Sequence, residues 1–182
     1  MTAVFEAILF AAQAHYGQCR KGTKIPYIVH PLNTAKILIE TGCPEDVVAA
    51  AVLHDTVEDT PASLEDIRRR FGETVARIVE GASEPDKEKP WEQRKEHTIE
   101  FLRSAPEAVL LVSCADKIEN LEAIREDLGR VGEELWSRFR RGRDKQAWYY
   151  RTVLAVLEDR LTGEPGRSLV RRLGSTVAQV FG

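Results

Sequence analysis

The chain has 182 residues, 43% hydrophobic and 30% charged, with 26 basic against 29 acidic residues and a formal net charge of -3. That length suits one compact domain with its own core, and that balance excludes a disordered chain and a globally basic nucleic-acid binder. Cys19, Cys43 and Cys114 are scattered and form no CxxC, which excludes a secreted disulfide framework and a Cys-rich zinc site. The apolar start MTAVFEAILFAAQAHYG lacks a basic leader and carries Glu6, so it is read as an amphipathic helix, not a signal peptide. No apolar run reaches the ~18 residues of a membrane span, and the expected location is the cytoplasm. Charge is uneven: residues 125–172 hold 12 basic and 8 acidic residues, a local +4 against -7 elsewhere, which leaves room for a local anion site.

Helical patterns run almost throughout, without alternating β-branched runs or Asn-Gly and Asp-Gly hairpin signals. The first helix is expected over residues 3–16, ending at Gly17. The loop GQCRKGTKIPYIVHP follows, with Arg20, Lys21 and Lys24 close together. A second helix is expected from near Pro31 until Gly42 stops it. Pro44 followed by Glu45 and Asp46 opens a third, because the amino end of a helix favours negative charge. It is expected to run through VVAAAVLHDTVED to just before Pro61. Ser63 suits the amino-terminal cap of a fourth, reaching Phe71 and Gly72, and another covers residues 74–82. The segment SEPDKEKP reads as a polar loop. Helices are expected over residues 91–103 and, opened by Ser104 and Pro106, over EAVLLVSCADKIENLEAIRED. The basic, aromatic segments LWSRFRR and KQAWYYRTVLAVLEDRL follow. Gly163, Pro165 and Gly166 then break the chain before the amphipathic SLVRRLGSTVAQVFG. The expected fold class is all-α.

Four titratable groups sit where helices should be apolar. His54 and Asp55 follow AAAVL, Asp116 follows VLLVSCA, and His30 stands at the mouth of the second helix. An unpartnered buried carboxylate is costly or becomes protonated. Two acids and two imidazoles converging on one divalent metal remove that cost, and both are ligand types for a borderline transition metal. The competing readings are a capping role for His54-Asp55, a solvated helix end for VEDT and a simple ion pair of Asp116 with Lys117. The joint pattern weighs against all three. His54 and Glu58, like Asp55 and Asp59, are four apart and share a helical face. A second acidic pair therefore lies one turn, about 5.4 Å, from a metal held by His54 and Asp55, a distance suited to orienting water or moving a proton. His15 is read as a packing histidine and His97 as solvated. Trp91, Trp136, Trp148, Tyr149 and Tyr150 are read as core or interface, with base stacking as the alternative, and Arg94 and Lys95 as surface charges. Arg140, Arg141 and Arg143 form a solvated basic cluster, with phosphate binding as the sharper alternative.

In order along the chain, CRKGTKIPYIVHP, LHDTVEDT and ADKIENL resemble the HD-domain metal-dependent phosphohydrolases. More closely, they resemble the hydrolase domain of the RelA/SpoT alarmone enzymes and their small stand-alone relatives of the metazoan SpoT-homologue type. The resemblance implies the HD helical fold over residues 1–160, with 161–182 as a carboxyl-terminal helical extension of the same domain. It implies His30, His54, Asp55 and Asp116 as ligands of one divalent metal, most often manganese in this branch. It implies Glu58 and Asp59 as the pair that handles water and protons. Arg20 and Lys21 would contact the base and phosphates and Asn120 would line the nucleotide site. Lys117, beside the distal ligand, adds a further basic residue, and the family also places basic residues near Arg94 and Lys95 that can reach phosphates. The implied activity is release of pyrophosphate from the 3′ position of guanosine tetra- or pentaphosphate. The alternatives are an HD nucleotidase or pyrophosphatase for another nucleotide, and a nucleotide-binding sensor without turnover. Where the family often has Arg two residues after this Asn, the chain has Glu122, which favours another nucleotide if it faces the phosphates. The expected partner is a small-molecule nucleotide, with no DNA or RNA and no membrane; a homo-oligomer is compatible with the sequence.

Overall fold

The structure is a computed structural model that describes residues 2–84 and 88–182; the centre of the expected SEPDKEKP loop lies outside the described residues. The helices are α1 (Thr2–Ala14), α2 (Val29–Glu40), α3 (Glu45–Leu53), α4 (Thr56–Asp59) and α5 (Leu64–Ala82). They continue as α6 (Trp91–Leu102), α7 (Glu107–Val131), α8 (Gly142–Arg160) and α9 (Gly166–Phe181), with a 3-10 segment, Gly132–Arg138, between α7 and α8. Among the described residues there is no strand, only an isolated antiparallel bridge between Cys19 and Pro26.

Helix α3 is the centre of the molecule. All seven residues from Val47 to Leu53 are buried, as expected of a helix that is apolar on every side. Its small Ala49, Ala50 and Ala51 permit close approach by neighbours, and α1, α2, α5 and α7 pack around it. Helix α1 turns Val4, Ala7 and Ala11 inward, a single stripe at helical spacing. Helix α7 buries one face from Val109 to Ile124 against α2, α3, α5 and α9. Helix α9 closes the far side by packing Leu169, Leu173 and Val177 against α7 and α8.

Two boundaries differ from the sequence expectation. The third helix does not run on to Pro61: it stops at Leu53, and α4 begins at Thr56. His54 Nδ1 engages the Ala51 carbonyl at 2.8 Å and Thr56 Oγ1 donates to the Leu53 carbonyl at 2.6 Å. Those side chains compete for the carbonyls a continuing helix would use. The second helix begins at Val29, so His30 lies inside its first turn rather than before it. Two stops fall as expected. Gly42, at φ +76°, adopts the left-handed conformation that ends α2. Gly72, at φ +85°, breaks α5 between the two expected helices. Ser63 caps α5 reciprocally with Asp66: Ser63 Oγ accepts from the Asp66 amide at 3.2 Å, and Asp66 Oδ2 accepts from the Ser63 amide at 3.1 Å.

Candidate metal centre and substrate cleft

The interruption after α3 turns His54 and Asp55 toward α2 and α7. There they meet His30 from the first turn of α2 and Asp116 from the middle of α7. The proton positions follow from what each ring faces. His30 Nδ1 is hydrogen-bonded to the Glu119 carboxylate, and His54 Nδ1 to the Ala51 carbonyl at 2.8 Å. Both partners are acceptors, so in neutral rings Nδ1 carries the proton and Nε2 presents a lone pair inward. The two Nε2 atoms lie 3.3 Å apart. His30 Nε2 is 3.3 Å from Asp55 Oδ2 and 3.3 Å from Asp116 Oδ1; His54 Nε2 is 3.3 Å and 3.8 Å from the same atoms. Each carboxylate oxygen thus lies 3.3–3.8 Å from both imidazole nitrogens, in a largely buried position. Such a cluster needs a shared positive charge, and a two-nitrogen, two-oxygen donor set suits a divalent transition metal. His30, His54 and Asp116 each offer one ligand atom within 4.8 Å of the others.

The same demand for positive charge appears in the proton affinities. Burial opposes charge on His30, yet its hydrogen bonds to Asp116, Asp55 and Glu119 raise its pKa well above the ordinary imidazole value. His54 is raised against its burial by the negative charges of Asp55 and Asp116. Burial would lift Asp55, but the neighbouring His54 and His30 hold it below the carboxylate range. Asp116 is likewise held low against burial, chiefly by Lys117 and then by the two histidines. Protons and a metal cation therefore compete for one site.

A cleft of about 730 Å³ opens over this cluster. Glu58 and Asp59 line it, together with Arg20, Lys117, Asn120, Lys95 and Tyr149. Glu58 Oε2 accepts the Glu84 amide at 2.8 Å, which ties the acidic pair to the chain following α5. The 18–27 loop is pinned across its base by Arg20 N–H to Ile25 O and Tyr27 N–H to Gln18 O, each at 2.9 Å. This aims Arg20 into the cleft, where Nη2 donates to Glu119 Oε2 at 3.1 Å and Asn120 Oδ1 at 3.3 Å. Asn120 in turn donates to Asp116 Oδ1 at 2.6 Å. Lys117 Nζ is committed to Asp116 Oδ2 at 2.5 Å, with only 15% of its side chain exposed. Lys21 is exposed and stands outside the cleft lining.

Several participants were not legible in the sequence. Tyr27 donates to Asp55 Oδ2 at 2.6 Å and lies 3.2 Å from Asp59 Oδ2, joining the Asp55 carboxylate to the acidic pair. Burial, then the charge of Asp55, pushes its pKa far up, so the phenol keeps its proton. Its only signal in the chain is its place three residues before His30. His15 packs its ring 4.9 Å from that of Tyr27, and Gln18 links His15 to the Asp59 carbonyl. Arg94 and Lys95 correct the surface-charge reading: both pair with Glu84 at the cleft rim, at 2.8 and 3.1 Å, and Lys95 Nζ lies 5.1 Å from the centre of the Tyr149 ring. His97 is exposed, as expected, and Tyr149, Tyr150 and Trp136 belong to the buried core with Trp91 packed against it. Of these, His97, Trp91, Tyr149 and Tyr150 also line the cleft, while Trp136 packs against Phe139 and Phe181. Glu122 does not face the cleft. Arg172 on α9 binds it through two nitrogens, at 3.0 and 3.1 Å, so its reversed charge is neutralised elsewhere.

Comparison with known proteins gives the same arrangement a lineage. A family model described as an HD domain matches residues 7–145. Two guanosine-3′,5′-bis(diphosphate) 3′-pyrophosphohydrolases named MESH1 are similar to the chain. The Danio rerio protein is 42% identical over 137 residues, 74% of this chain and 73% of the relative. The Homo sapiens protein is 40% identical over 140 residues, 75% of each. An Aquifex aeolicus enzyme of the same description is 39% identical over 117 residues, but there the match spans only 17% of the relative's length. A solved metazoan SpoT orthologue, described as hydrolysing ppGpp, superimposes with a TM-score of 0.80 at 30% identity, covering 98% of this chain and 96% of that one. With a family model matched from α1 into α8, and two imidazoles and two carboxylates gathered at one point, the chain belongs to the HD-domain family of metal-dependent phosphohydrolases.

Proposed function

We propose that the protein hydrolyses guanosine 3′,5′-bis(diphosphate), releasing pyrophosphate from the 3′ position and leaving GDP, with the pentaphosphate giving GTP. The observation that carries this reading is the inward-facing cluster of His30, His54, Asp55 and Asp116 beneath a cleft that also holds Glu58, Asp59 and Arg20. Similarity of about three quarters of the chain to enzymes described by that reaction supports it. His30, His54, Asp55 and Asp116 would hold one divalent cation, manganese in this reading, whose chemistry when bound is to acidify water and polarise a phosphoryl oxygen.

The chain's own residues do the remainder. Glu58 and Asp59 orient the attacking water and take up its proton as its bond to the 3′ phosphorus forms and the bond from that phosphorus to the ribose 3′ oxygen breaks, the freed oxygen taking a proton in turn. Tyr27, protonated throughout, holds the Asp55 and Asp59 carboxylates at a set separation. Arg20, already at the cleft wall, offers charge-assisted hydrogen bonds to phosphate oxygens. The half-buried Lys95 adds a second cation, and Trp91, Tyr149 and Tyr150 offer aromatic surface to the base. Neutralisation of Glu122 by Arg172 removes the feature that favoured a different nucleotide. The protein is taken to act on a free nucleotide in the cytoplasm.

The test offers guanosine tetraphosphate, GTP, GDP and simple nucleoside monophosphates to the manganese-loaded protein and scores pyrophosphate against phosphate. Pyrophosphate from the tetraphosphate alone supports the reading. Preference for a simple nucleotide removes the alarmone and leaves the metal centre standing.

A further inference from the structure

Glu119 has a position that neither the proposed chemistry nor the ligand set explains. It sits on α7 among buried residues, one turn beyond Ala115, with its side chain 8% exposed. A carboxylate this deep is costly unless its charge is met. Two groups meet it at the same oxygen: Oε2 accepts from His30 Nδ1 on the inner side and from Arg20 Nη2, at 3.1 Å, on the cleft side. The next residue repeats the connection. Asn120 accepts from the same Arg20 nitrogen at 3.3 Å and donates to Asp116 Oδ1 at 2.6 Å. Arg20 is thus one residue removed from two of the four proposed ligands, through neighbouring positions of α7.

We propose that Glu119 is a positioning residue that holds His30 with its proton on Nδ1 and its Nε2 lone pair toward the metal, and that its shared oxygen couples Arg20 to the metal centre. The proposal rests on the metal-centre reading above. A carboxylate accepting from the far nitrogen of a histidine fixes the ring and makes it a better donor to a metal. His54 receives only a neutral carbonyl in the equivalent place, at 2.8 Å. The two histidines are therefore unequal: His30 is the one whose donor strength another residue can change. Arg20 draws negative charge away from the oxygen that supports His30. A phosphate that engages Arg20 draws the guanidinium off Glu119 and returns that charge to His30. Anion binding at the cleft wall and cation binding below it then favour one another, and the coupling is reciprocal.

The test measures zinc affinity by chelator competition, with no reliance on turnover. Glu119→Gln, which keeps the size and one accepting oxygen, and Glu119→Leu, which keeps neither charge nor acceptor, should weaken zinc binding progressively, Glu119→Leu by roughly 10- to 100-fold. The downfield Nδ1–H resonance of His30 in the zinc-loaded protein should shift in Glu119→Gln and vanish in Glu119→Leu, while that of His54 stays. A residue that merely fills space would move neither signal. Arg20→Met should tighten zinc binding about 3- to 10-fold in the otherwise native chain, the scale of coupling between residues in contact. It should do so less than twofold, by the same reckoning, beside Glu119→Gln. Zinc affinity of folded Glu119→Gln within twofold of the native protein, or an equal Arg20→Met effect in both backgrounds, overturns the proposal. Absence of zinc binding by the native protein is a different result: it removes the metal centre itself. Should Glu119→Leu not fold, Glu119→Gln and the double-variant comparison still decide.

Discussion

The floor of the cleft and its rim are built on different principles. The floor is made by three helices, α2, α3 and α7, buried against one another, and its side chains are held by fixed hydrogen bonds: Nδ1 of His54 to Ala51, Nδ1 of His30 to Glu119, Lys117 to Asp116. The rim is made by the 18–27 loop and by α6, and its cations are held by carboxylates that a substrate could replace: Arg20 by Glu119, Arg94 and Lys95 by Glu84. The contrast teaches where rigidity is needed. Metal donors must keep their places within fractions of an ångström. Phosphate-binding cations must instead be kept poised and exchangeable, since a charge paired permanently is lost to the ligand.

Removing part of the floor should have the largest effect. Asp116→Ala or His54→Ala should abolish stoichiometric metal binding and with it turnover, which metal analysis of the purified variants would show. Asp116→Ala should also lower stability by about 3–5 kcal/mol in chemical denaturation, because it strands the buried Lys117 ammonium without its counter-ion. Full metal occupancy in either variant would refute the ligand set. The charge-neutral pair Glu58→Gln with Asp59→Asn should leave metal content intact and cut turnover by about 100-fold or more, the scale of acid–base catalysis. Unchanged turnover would assign water activation to the metal centre alone.

The rim should respond more gently. Arg20→Ala should lower the specificity constant for guanosine tetraphosphate by about 10- to 150-fold, or ~1.5–3 kcal/mol, the scale of a hydrogen bond to a charged group. A mononucleotide with fewer charges should lose less. An equal loss for both would mean that Arg20 acts on the floor rather than on the substrate. The floor should also carry a pH signature that the rim does not. His30 and His54 have raised pKa values and hold protons that a metal must displace. Metal affinity should therefore increase as pH rises through the neutral range, levelling off once both rings are neutral. A pH-independent affinity would contradict that competition. The smallest effect is expected at Glu122→Arg, which lies outside the cleft and meets Arg172. It should leave activity on the tetraphosphate within about twofold and lower stability by ~1 kcal/mol or less, as for a partly exposed ion pair. A large gain in activity would bring Glu122 back to the phosphates.

The residues that converge at the cleft floor were legible in the sequence because they break a pattern. His54, Asp55 and Asp116 are polar groups inside the longest apolar stretches, and the physics of burial requires such groups to converge on something. The all-α class and the stops at Gly42 and Gly72 were legible for a similar local reason, since helical periodicity and left-handed glycine are properties of the neighbouring chain. The HD resemblance carried the expected activity further than any single residue could. The break after Leu53 was not legible, because it turns on side-chain bonds from His54 and Thr56 to carbonyls that a regular helix would also use.

Other roles belong to the tertiary structure alone. Tyr27 and Glu119 carry no mark in the chain: a tyrosine in a loop and an acid on a helix are each ordinary. Their meaning comes from partners 28 and 89 positions away. Glu122 makes the same point in reverse. Its sign in the sequence suggested a repelled phosphate, and only the packing of α9 on α7 brings Arg172 close enough to cancel it, 50 residues along the chain. Periodicity and composition report what a residue's neighbours in sequence demand of it. Which charge faces which, and which histidine nitrogen is held by a carboxylate, is set by distances of a few ångströms between segments that only the fold brings together.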